Sequence, residues 1–371
     1  MSPAAVVGPP VCTSCGQVAG VGARFCEACG TDLPASAVPP PAPAPPMPLP
    51  PPASTPAPAG PTPCRECGGE VDADGYCTSC GAKAPAARDH VVEQPQPWVG
   101  AVSDRGRRHH RNEDAMAVAA GAAPGSNAVF VVCDGVSSSE DSDIASLAAA
   151  RAARDVLAAP GAQGLRTSSG LAAVLGARLG VATDAAARAV AQATSPDHGA
   201  SPPSCTIVAA VVEHDRIVTG VVGDSRAYWL PDVGEAQVLT TDDSWAADQI
   251  AAGVPRAEAE SGLHAHAITR WLGVDAPDHT PRVTTLAVQA PGWLLLCSDG
   301  LWNYCSPAAD LGALVQRTAA AVAGEPLATA SGLVDWANAQ GGHDNITVVL
   351  ARLGAGPASP ASNDRQTGST T

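Results

Sequence analysis

Short apolar runs alternate with longer stretches rich in Ala and Leu between residues 97 and 353. Runs of about four to eight β-branched or apolar residues are typical of strands, and they predict strands at 128–133, 205–212, 216–222, 227–230, 236–239, 292–297 and 346–350. Stretches of helical length predict helices at 144–159, 171–193, 307–323 and 327–338. Ser142 or Asp143 is expected to cap the first helix. The pattern therefore predicts one large domain, 97–353, of mixed strands and helices.

The rest of the chain lacks this periodicity. Of the 30 residues from Pro34 to Pro63, 15 are Pro, and Pro fixes φ and removes the amide donor that helices and sheets need. Residues 32–62 are therefore predicted to be a disordered linker, and 83–96 a second, shorter linker. The tail 354–371 has no apolar periodicity and is predicted to be disordered.

Two small modules, 11–31 and 63–82, each contain two Cys-x-x-Cys-Gly turns. Their cysteines are Cys12, Cys15, Cys26, Cys29, Cys64, Cys67, Cys77 and Cys80. Two such turns supply the four thiolates of a tetrahedral zinc site, and metal binding must stabilise a module too small to have a core. Disulfides and an iron–sulfur cluster are the alternatives, and the lack of an export signal disfavours disulfides. The modules resemble the tandem zinc ribbons of many prokaryotic proteins, which implies two structural Zn²⁺ ions and protein docking.

The overall charge argues against nucleic acid as a partner. The 371 residues carry 21 Lys and Arg against 36 Asp and Glu, a net charge of −15. Surfaces that bind a phosphate backbone are basic. No apolar run approaches the ~20 residues that span a bilayer, and the first ten residues show no signal peptide. We therefore expect a cytoplasmic protein with neither a nucleic-acid partner nor a membrane partner.

Four Asp residues lie just beyond the ends of predicted strands. Asp134, Asp224 and Asp299 follow apolar strands, and Asp344 precedes one. If these ends share one edge of a sheet, the carboxylates converge and need a counter-charge. Oxygen ligands without His or Cys favour Mg²⁺ or Mn²⁺, and two such ions activate water and hold a phosphoryl group. Each Asp alone is better explained as a turn residue, but the four together, with Asn112-Glu113-Asp114 upstream, favour a metal site.

Six motifs along the large domain extend this pattern. They are Arg111-Asn-Glu-Asp-Ala115, Val132-Cys-Asp-Gly135, Gly223-Asp-Ser-Arg-Ala-Tyr228, Ile268-Thr-Arg-Trp-Leu-Gly273, Cys297-Ser-Asp-Gly-Leu301 and Asp344-Asn-Ile-Thr347. In this order they resemble the metal-dependent, type 2C protein serine/threonine phosphatases over about residues 98–352. The resemblance implies an α+β fold, a four-layer α/β/β/α sandwich with the active site at one end.

The resemblance also implies roles for individual residues. Asp134 would bridge two Mn²⁺ or Mg²⁺ ions, the carbonyl of Gly135 would bind one, and Asp299 and Asp344 the other. Glu113 and Asp114 would hold metal-bound waters, and Asp224 would bind a third, looser ion. A hydroxide that bridges the two ions would attack the phosphorus of phosphoserine or phosphothreonine in a substrate protein. A serine/threonine kinase would be the natural counterpart.

The sequence departs from the family at the substrate phosphate. Family members usually carry an Arg five residues before the Asp of Asn-Glu-Asp, and here that position is His109. Because bidentate Arg is the better phosphate clamp, we expect weaker phosphate affinity, with His109 and Arg107, Arg108 or Arg111 making the contact. Val136 replaces a His proposed as general acid in some relatives. Residues 242–267 match a mobile flap that is expected to touch the substrate.

Two other functions fit parts of the sequence. The chain would be a weak or inactive phosphoprotein-binding scaffold if the large domain had lost catalysis, or a nucleic-acid-associated zinc protein if the ribbons were the working part. The retention of Asp134, Asp299 and Asp344 argues against the first, and the acidic charge argues against the second.

Overall fold

The computed structural model describes residues 16, 18, 67–72, 74–81, 84, 86–160, 168–214, 216–262 and 267–354. The predicted linker 32–62 lies outside these residues, as do the tail beyond Gly354 and five of the module cysteines, Cys12, Cys15, Cys26, Cys29 and Cys64. The chain divides into two units, Met1–Pro61 and Thr62–Thr371. All helices and strands named below belong to the second unit.

Two antiparallel sheets form the centre of the large domain. The strands are β1 His90–Glu93, β2 Val99–Asp104, β3 Ala115–Ala120, β4 Asn127–Cys133, β5 Ile207–Glu213, β6 Arg216–Val222, β7 Arg226–Pro231, β8 Gln237–Val238, β9 Arg282–Ala287, β10 Gly292–Cys297 and β11 Ile346–Leu353. The six-stranded sheet has the order β1-β2-β11-β10-β7-β8, and the five-stranded sheet has the order β3-β4-β5-β6-β9.

The described part of the chain contains seven α-helices. They are α1 Ser142–Ala158, α2 Ser168–Ala193, α3 Trp245–Ala251, α4 Arg256–Ser261, α5 Asp299–Trp302, α6 Ala308–Ala321 and α7 Pro326–Gln340. Helices α1 and α2 pack on the five-stranded sheet, and α6 and α7 pack on the six-stranded sheet. The layers run helix, sheet, sheet, helix, and the predicted α/β/β/α sandwich is confirmed.

The inner strands are apolar on both faces because both faces are covered. In β4, Val131 and Cys133 pack against the helices, whereas Phe130 and Val132 enter the core between the sheets. Strands buried on both faces appear in a sequence as continuous apolar runs. This explains why the runs at 216–222 and 292–297 predicted β6 and β10 with the observed bounds.

The segment 83–96, predicted as a linker, contains β1 and is therefore corrected. His90 pairs with Asp104, and Glu93 pairs with Ala101. The side chains of β1 alternate between exposed and half-buried positions, as expected for an edge strand with one covered face. Four alternating residues beside Pro and Gln are too short a pattern to stand out in the sequence. The sheet therefore begins seven residues before the predicted boundary at 97.

The predicted caps of α1 are also corrected. The N-cap is Asp141, which has a left-handed backbone (φ 49°) and no side-chain cap hydrogen bond. Ser142 is the first helical residue, and its Oγ donates to Glu113 Oε1 at 2.9 Å. The Ser142 hydroxyl, predicted as a cap, therefore orients the Glu113 carboxylate, which belongs to the site described below.

Helix α2 contains a segment, Ser169–Ala193, that is long and apolar enough to cross a membrane on length and composition alone. The expectation that no apolar run approaches membrane-spanning length is therefore corrected for this helix. One face of α2 is buried in the core through Leu175, Leu179, Ala182 and Ala186. These residues recur every three or four positions, which is the spacing of a helix that covers a sheet.

Candidate metal centre and active site

The register of the five-stranded sheet brings Asp114 and Asp134 together. Ala115 at the start of β3 lies opposite Cys133 at the end of β4, so the Asp residue before one strand and the Asp residue after the other occupy the same edge. The backbone of Asp134 is held by Thr206, whose N–H donates to Asp134 O at 2.7 Å. Two carboxylates predicted from the sequence are thus fixed as neighbours by rigid strand ends.

The six-stranded sheet contributes Asp299 and Asp344 in the same way. Cys297 at the end of β10 lies opposite Val348, near the start of β11, which places the residues just beyond both ends on one edge. Gly300 follows Asp299, and a Cβ at that position would lie 1.9 Å from Asn345 O. Glycine is therefore needed where α5 passes the start of β11.

Asp114 is buried, and its two carboxylate oxygens have different surroundings. Oδ2 accepts hydrogen bonds from Ser298 Oγ at 2.7 Å and Thr347 Oγ1 at 2.8 Å. Oδ1 is buried and accepts no hydrogen bond from the described residues. Burial raises the pKa of Asp114 to about 7, and the charge of Asp344 adds to this, while the two hydroxyl donors oppose it.

The two carboxylate oxygens of Asp299 also have different surroundings. Its Oδ2 accepts a hydrogen bond from Asn303 Nδ2 at 2.9 Å, whereas Oδ1 is buried without a hydrogen-bond partner among the residues that the structure describes. Burial raises the pKa of Asp299 well above its usual value, and the charges of Asp224 and Asp344 raise it further. A buried, unpartnered carboxylate oxygen is costly unless a cation binds it.

The carboxylates repel one another across both sheets. Burial raises the pKa of Asp134 well above its usual value, and the charges of Asp114, Asp299, Asp344 and Asp224 raise it further. Burial and the nearby charge of Asp242 raise the pKa of Asp224 to about 7. Arg226 lowers the pKa of Asp224 and His109 contacts Asp344, but the charges that act on Asp134 all oppose its ionisation, which is the condition that bound divalent cations relieve.

The chemistry of the donors fits hard cations. The nearest thiols belong to strand-end cysteines, and burial raises the pKa of both Cys133 and Cys297, so they stay protonated and are poor ligands. The remaining donors are oxygens, as Mg²⁺ and Mn²⁺ prefer. A Cβ on Gly135 would lie 2.6 Å from Glu113 O, so glycine keeps this stretch of backbone close to the cluster.

Glu113 lies at the rim of the cluster between two basic side chains. His109 Nδ1 lies 3.3 Å from Glu113 Oε2, and Arg111 Nε and Nη2 donate to Oε1 at 3.1 and 3.0 Å. Burial opposes ionisation of Glu113, but the hydrogen bonds from His109, Ser142 and Arg111 outweigh it and lower the pKa. Glu113 is therefore a charged carboxylate whose orientation is fixed.

His109 bridges two of the predicted carboxylates. Its Nε2 lies 3.2 Å from Asp344 Oδ1, opposite the contact with Glu113. The hydrogen bond with Glu113 raises the pKa of His109, and the charge of Asp344 adds to it, although burial opposes both. His109, where the family resemblance implies an Arg, is therefore an imidazole whose protonated form the neighbouring carboxylates stabilise.

The structure does not bring Arg108 to the carboxylates. Its side chain is exposed, and its backbone N–H donates to Gly342 O at 3.2 Å. Arg107 is exposed in the same turn, and its N–H donates to the same carbonyl. Of the three arginines considered for a phosphate contact, Arg111 is the one whose guanidinium lies against a carboxylate of the site.

A cleft of about 740 Å³ opens beside the carboxylates. Helices α3, α4 and α5 and the turn after α5 contribute to its lining, together with Arg226 of β7 and with Asp242 and Asp344 from loops. The predicted flap 242–267 thus forms one wall with α3 and α4, and its residues 263–266 lie outside the described residues. Val136, the residue after Gly135, is held in place by its backbone N–H, which donates to Ser204 O.

The sequence analysis missed the residues that hold the carboxylates. Ser298 and Thr347 bind Asp114, and Asn345 Oδ1 accepts the backbone N–H of Glu113 at 2.7 Å. Asn345 Nδ2 also donates to the carbonyls of Arg105 and Arg111. Each of these residues lies within three positions of a predicted Asp, so small polar residues next to the strand-end carboxylates were the available signal.

The second cysteine module brings three thiols together. Cys67, Cys77 and Cys80 lie with their sulfur atoms within 4.8 Å of one another, and Cys67 Sγ is 3.4 Å from Cys77 Sγ. Backbone hydrogen bonds from Cys80 and Ser79 lower the pKa of Cys77 to about 6, which favours the thiolate that zinc binds. Three of the four predicted ligands thus converge on one point.

Comparison with known proteins agrees with both parts of the chain. Residues 105–336 match the family profile described as Protein phosphatase 2C, and residues 12–81 match that of a Double zinc ribbon. The serine/threonine phosphatase stp of Listeria innocua is 34% identical over 150 residues, which are 39% of this chain and 55% of that protein. The chain therefore spans about half the length of the curated relatives it matches.

Solved structures show the same fold. The Mycobacterium tuberculosis serine/threonine phosphatase PstP/Ppp is 28% identical with a TM-score of 0.55, and the match covers 71% of this chain and 99% of that one. The catalytic domain of PstP in complex with two manganese ions is 27% identical with a TM-score of 0.52, covering 69% and 97%. Because the first family profile covers well over half of the sequence, this chain belongs to the protein phosphatase 2C family.

Proposed function

We propose that the chain is a metal-dependent protein phosphatase that hydrolyses phosphoserine and phosphothreonine in proteins. The observation that carries the proposal is the cluster of five carboxylates at one edge of the sandwich, Asp114, Asp134, Asp224, Asp299 and Asp344, two of which keep a buried oxygen without a hydrogen bond. Relatives named serine/threonine phosphatases support the substrate class. An inactive scaffold is disfavoured because it would keep this repulsion without using it.

Two Mn²⁺ or Mg²⁺ ions are proposed to bind at Asp134, Asp299, Asp344 and the carbonyl of Gly135, and a third at Asp224. The manganese ions of PstP support this choice. When bound, such ions supply Lewis-acid charge and activate water at neutral pH. The residues of the chain would hold the ions at positions set by the strand ends that carry the carboxylates.

The rim residues are proposed to orient water and substrate. Asp114 would accept a hydrogen bond from water through Oδ1, which no described residue occupies, and Glu113 would orient water from a carboxylate that is held at both oxygens. His109, as a cation, could donate to a phosphate oxygen or to the leaving serine or threonine oxygen once one of its ring nitrogens releases Glu113 or Asp344. Arg111 provides a second cation at the same rim, and Arg108 is disfavoured by its exposure.

The zinc modules and the cell compartment complete the proposal. Two Zn²⁺ ions are proposed to bind the eight cysteines, four in each module, and the modules are proposed to dock proteins. Four thiolates leave zinc no open position for a substrate. The substrates would be phosphorylated serine/threonine proteins in the cytoplasm, and the counterpart would be a serine/threonine kinase.

Metal-dependent hydrolysis provides the test. Metal-free protein should not hydrolyse p-nitrophenyl phosphate or a phosphothreonine peptide, and Mn²⁺ should restore both activities. Asp299→Asn should lower kcat by about 10²- to 10⁴-fold, because metal charge supplies several kcal/mol of transition-state stabilisation. Asp155→Asn is the matched control, since Asp155 is an exposed carboxylate of α1 paired with Arg154. Hydrolysis that survives metal removal, or is lost equally in both variants, would contradict the proposal.

A further inference from the structure

The chain between the second cysteine module and β1 is folded onto both of its neighbours. On the module side, Ala84 N donates to Gly75 O at 2.6 Å. On the domain side, Ala86 N donates to Asp89 Oδ2, and Asp89 N donates back to Ala86 O, both at 2.9 Å. Asp89 is buried and pairs with Arg105 Nη1 at 3.4 Å. The described residues of this segment thus have defined partners at each end.

Arg88, in the middle of this turn, reaches the backbone of the catalytic loop. Its Nη2 donates to Asp114 O at 3.0 Å, and its Nη1 donates to Asp143 O in the first turn of α1. Its own carbonyl accepts a hydrogen bond from Asn112 Nδ2 at 3.0 Å. Both ends of one residue therefore hold the segment Asn112–Asp114, which the proposed function places at the metal ions.

The contacts of Arg88 complete the support of Asp114. The side chain of Asp114 is fixed through Oδ2 by Ser298 and Thr347, and Arg88 fixes its carbonyl. Oδ1 is then the remaining free acceptor of this residue among the described contacts. A guanidinium suits this task because its planar fork donates to two carbonyls at once, which the single ammonium of Lys does less well.

Distance along the chain joins this clamp to the cysteine module. Three residues separate Ala84, which is bonded to the module, from Arg88, which is bonded to the catalytic loop. Ala84 and Arg88 are four positions apart and their Cα atoms lie at most about 14 Å from each other, so a shift of the module beyond the slack of this segment moves Arg88 or breaks one of these bonds. In the sequence this segment resembled a linker, which would have decoupled the two parts.

We propose that Arg88 is a positioning residue that couples the second cysteine module to the metal centre, so that the folded module strengthens metal binding by the Asn112–Asp114 loop. The module then has a role inside the chain in addition to any docking of other proteins. The inference rests on the proposed metal centre, but it concerns metal affinity rather than hydrolysis.

The test is a double-mutant cycle between Arg88 and a thiol of the module. Mn²⁺ binding is measured by calorimetry, together with the melting temperature and the Mn²⁺ concentration for half-maximal activity. Arg88→Ala should weaken Mn²⁺ binding about tenfold, in the range seen for residues that support metal ligands, with KM unchanged. Arg88→Lys should be intermediate, and free guanidinium should partly restore Arg88→Ala.

A variant in the cysteine module, Cys77→Ser, tests the coupling from the other end, and Arg154→Ala is its control. Cys77→Ser should also weaken Mn²⁺ binding, and it should add little in the Arg88→Ala background, because coupled residues do not act additively. Arg154→Ala removes an Arg of α1 that pairs with its neighbour Asp155 and should leave Mn²⁺ binding unchanged. Hydrogen exchange at residues 112–114 should quicken in both coupled variants.

Several results would overturn the coupling. They are additive effects of Arg88→Ala and Cys77→Ser, unchanged Mn²⁺ binding in either variant, or an equal loss in Arg154→Ala. A fall in melting temperature as large in Arg88→Lys as in Arg88→Ala, without guanidinium rescue, would assign Arg88 a purely structural role. Absence of hydrolysis in the unaltered chain would contradict the proposed function alone, since calorimetry still measures the coupling.

Discussion

Replacing Asp134 with Asn should raise the melting temperature of the metal-free protein by roughly 5 °C and, in the same variant, lower metal-dependent hydrolysis by about 10²- to 10⁴-fold. The two effects have one cause. Asp134 is half-buried at the centre of the carboxylate cluster, where four other Asp charges oppose its ionisation. Without metal this repulsion destabilises the fold, and with metal the same charge holds the ions.

The sign of the pH dependence follows from the raised pKa values. Burial raises the pKa of Asp114 and of Asp224 to about 7, above the unfolded value of about 3.9. Between these values the folded protein holds more protons than the unfolded protein, so stability falls as the pH rises. The metal-free protein should therefore lose stability from about pH 4 to pH 7 through these two groups, and saturating Mn²⁺ should remove most of that loss.

Thermal unfolding with and without Mn²⁺ from pH 5 to pH 8 measures both effects. The gap between the two melting temperatures should widen with pH in the unaltered chain and shrink in Asp134→Asn. Asp155→Asn, which alters an exposed carboxylate, should change neither curve. If Asp134→Asn lowers the melting temperature of the metal-free protein, repulsion is not the dominant effect at this position.

The sequence predicted several strands that are buried on both faces, but it missed β2 and β3, which are also buried. The runs that became β4, β6, β10 and β11 are continuous and apolar, so they stand out without tertiary information. Edge strands such as β1 and β9 carry exposed residues and depend on pairing with a neighbour. Their formation is decided by partners distant in the sequence, which local patterns do not contain.

The residues of the site also divide into those that the sequence predicted and those that it did not. The carboxylates were predictable because strand ends place them on one edge, and the register of β3 with β4 confirms this for Asp114 and Asp134. The role of Arg88 was not predictable, because its partners, the carbonyls of Asp114 and Asp143, are 26 and 55 positions away. A basic residue in a short Ala- and Pro-rich segment gives no signal of such contacts.

Replacing His109 with Arg should lower KM for a phosphothreonine peptide about tenfold or more, with a small change in kcat. A charged hydrogen bond is worth about 1.5–3 kcal/mol, and a bidentate Arg–phosphate pair adds a second one that imidazole lacks. His109 lies between Glu113 and Asp344, 3.3 and 3.2 Å from their oxygens. An Arg in its place would keep a cation between the same carboxylates and extend its fork toward the substrate.

The neighbouring His110 provides the control for charge alone. It is exposed, so His110→Arg adds the same charge one residue away without a place between the carboxylates. If both variants lower KM equally and the effect disappears in high salt, general attraction explains it. If His109→Arg leaves KM unchanged, the phosphate already has an Arg ligand, and Arg111 is the residue whose guanidinium lies at the rim. Arg111→Ala would then raise KM, and His109→Arg in that background would lower it again. This pair of variants distinguishes a site that lacks a phosphate-binding Arg from a site in which Arg111 has taken over that role.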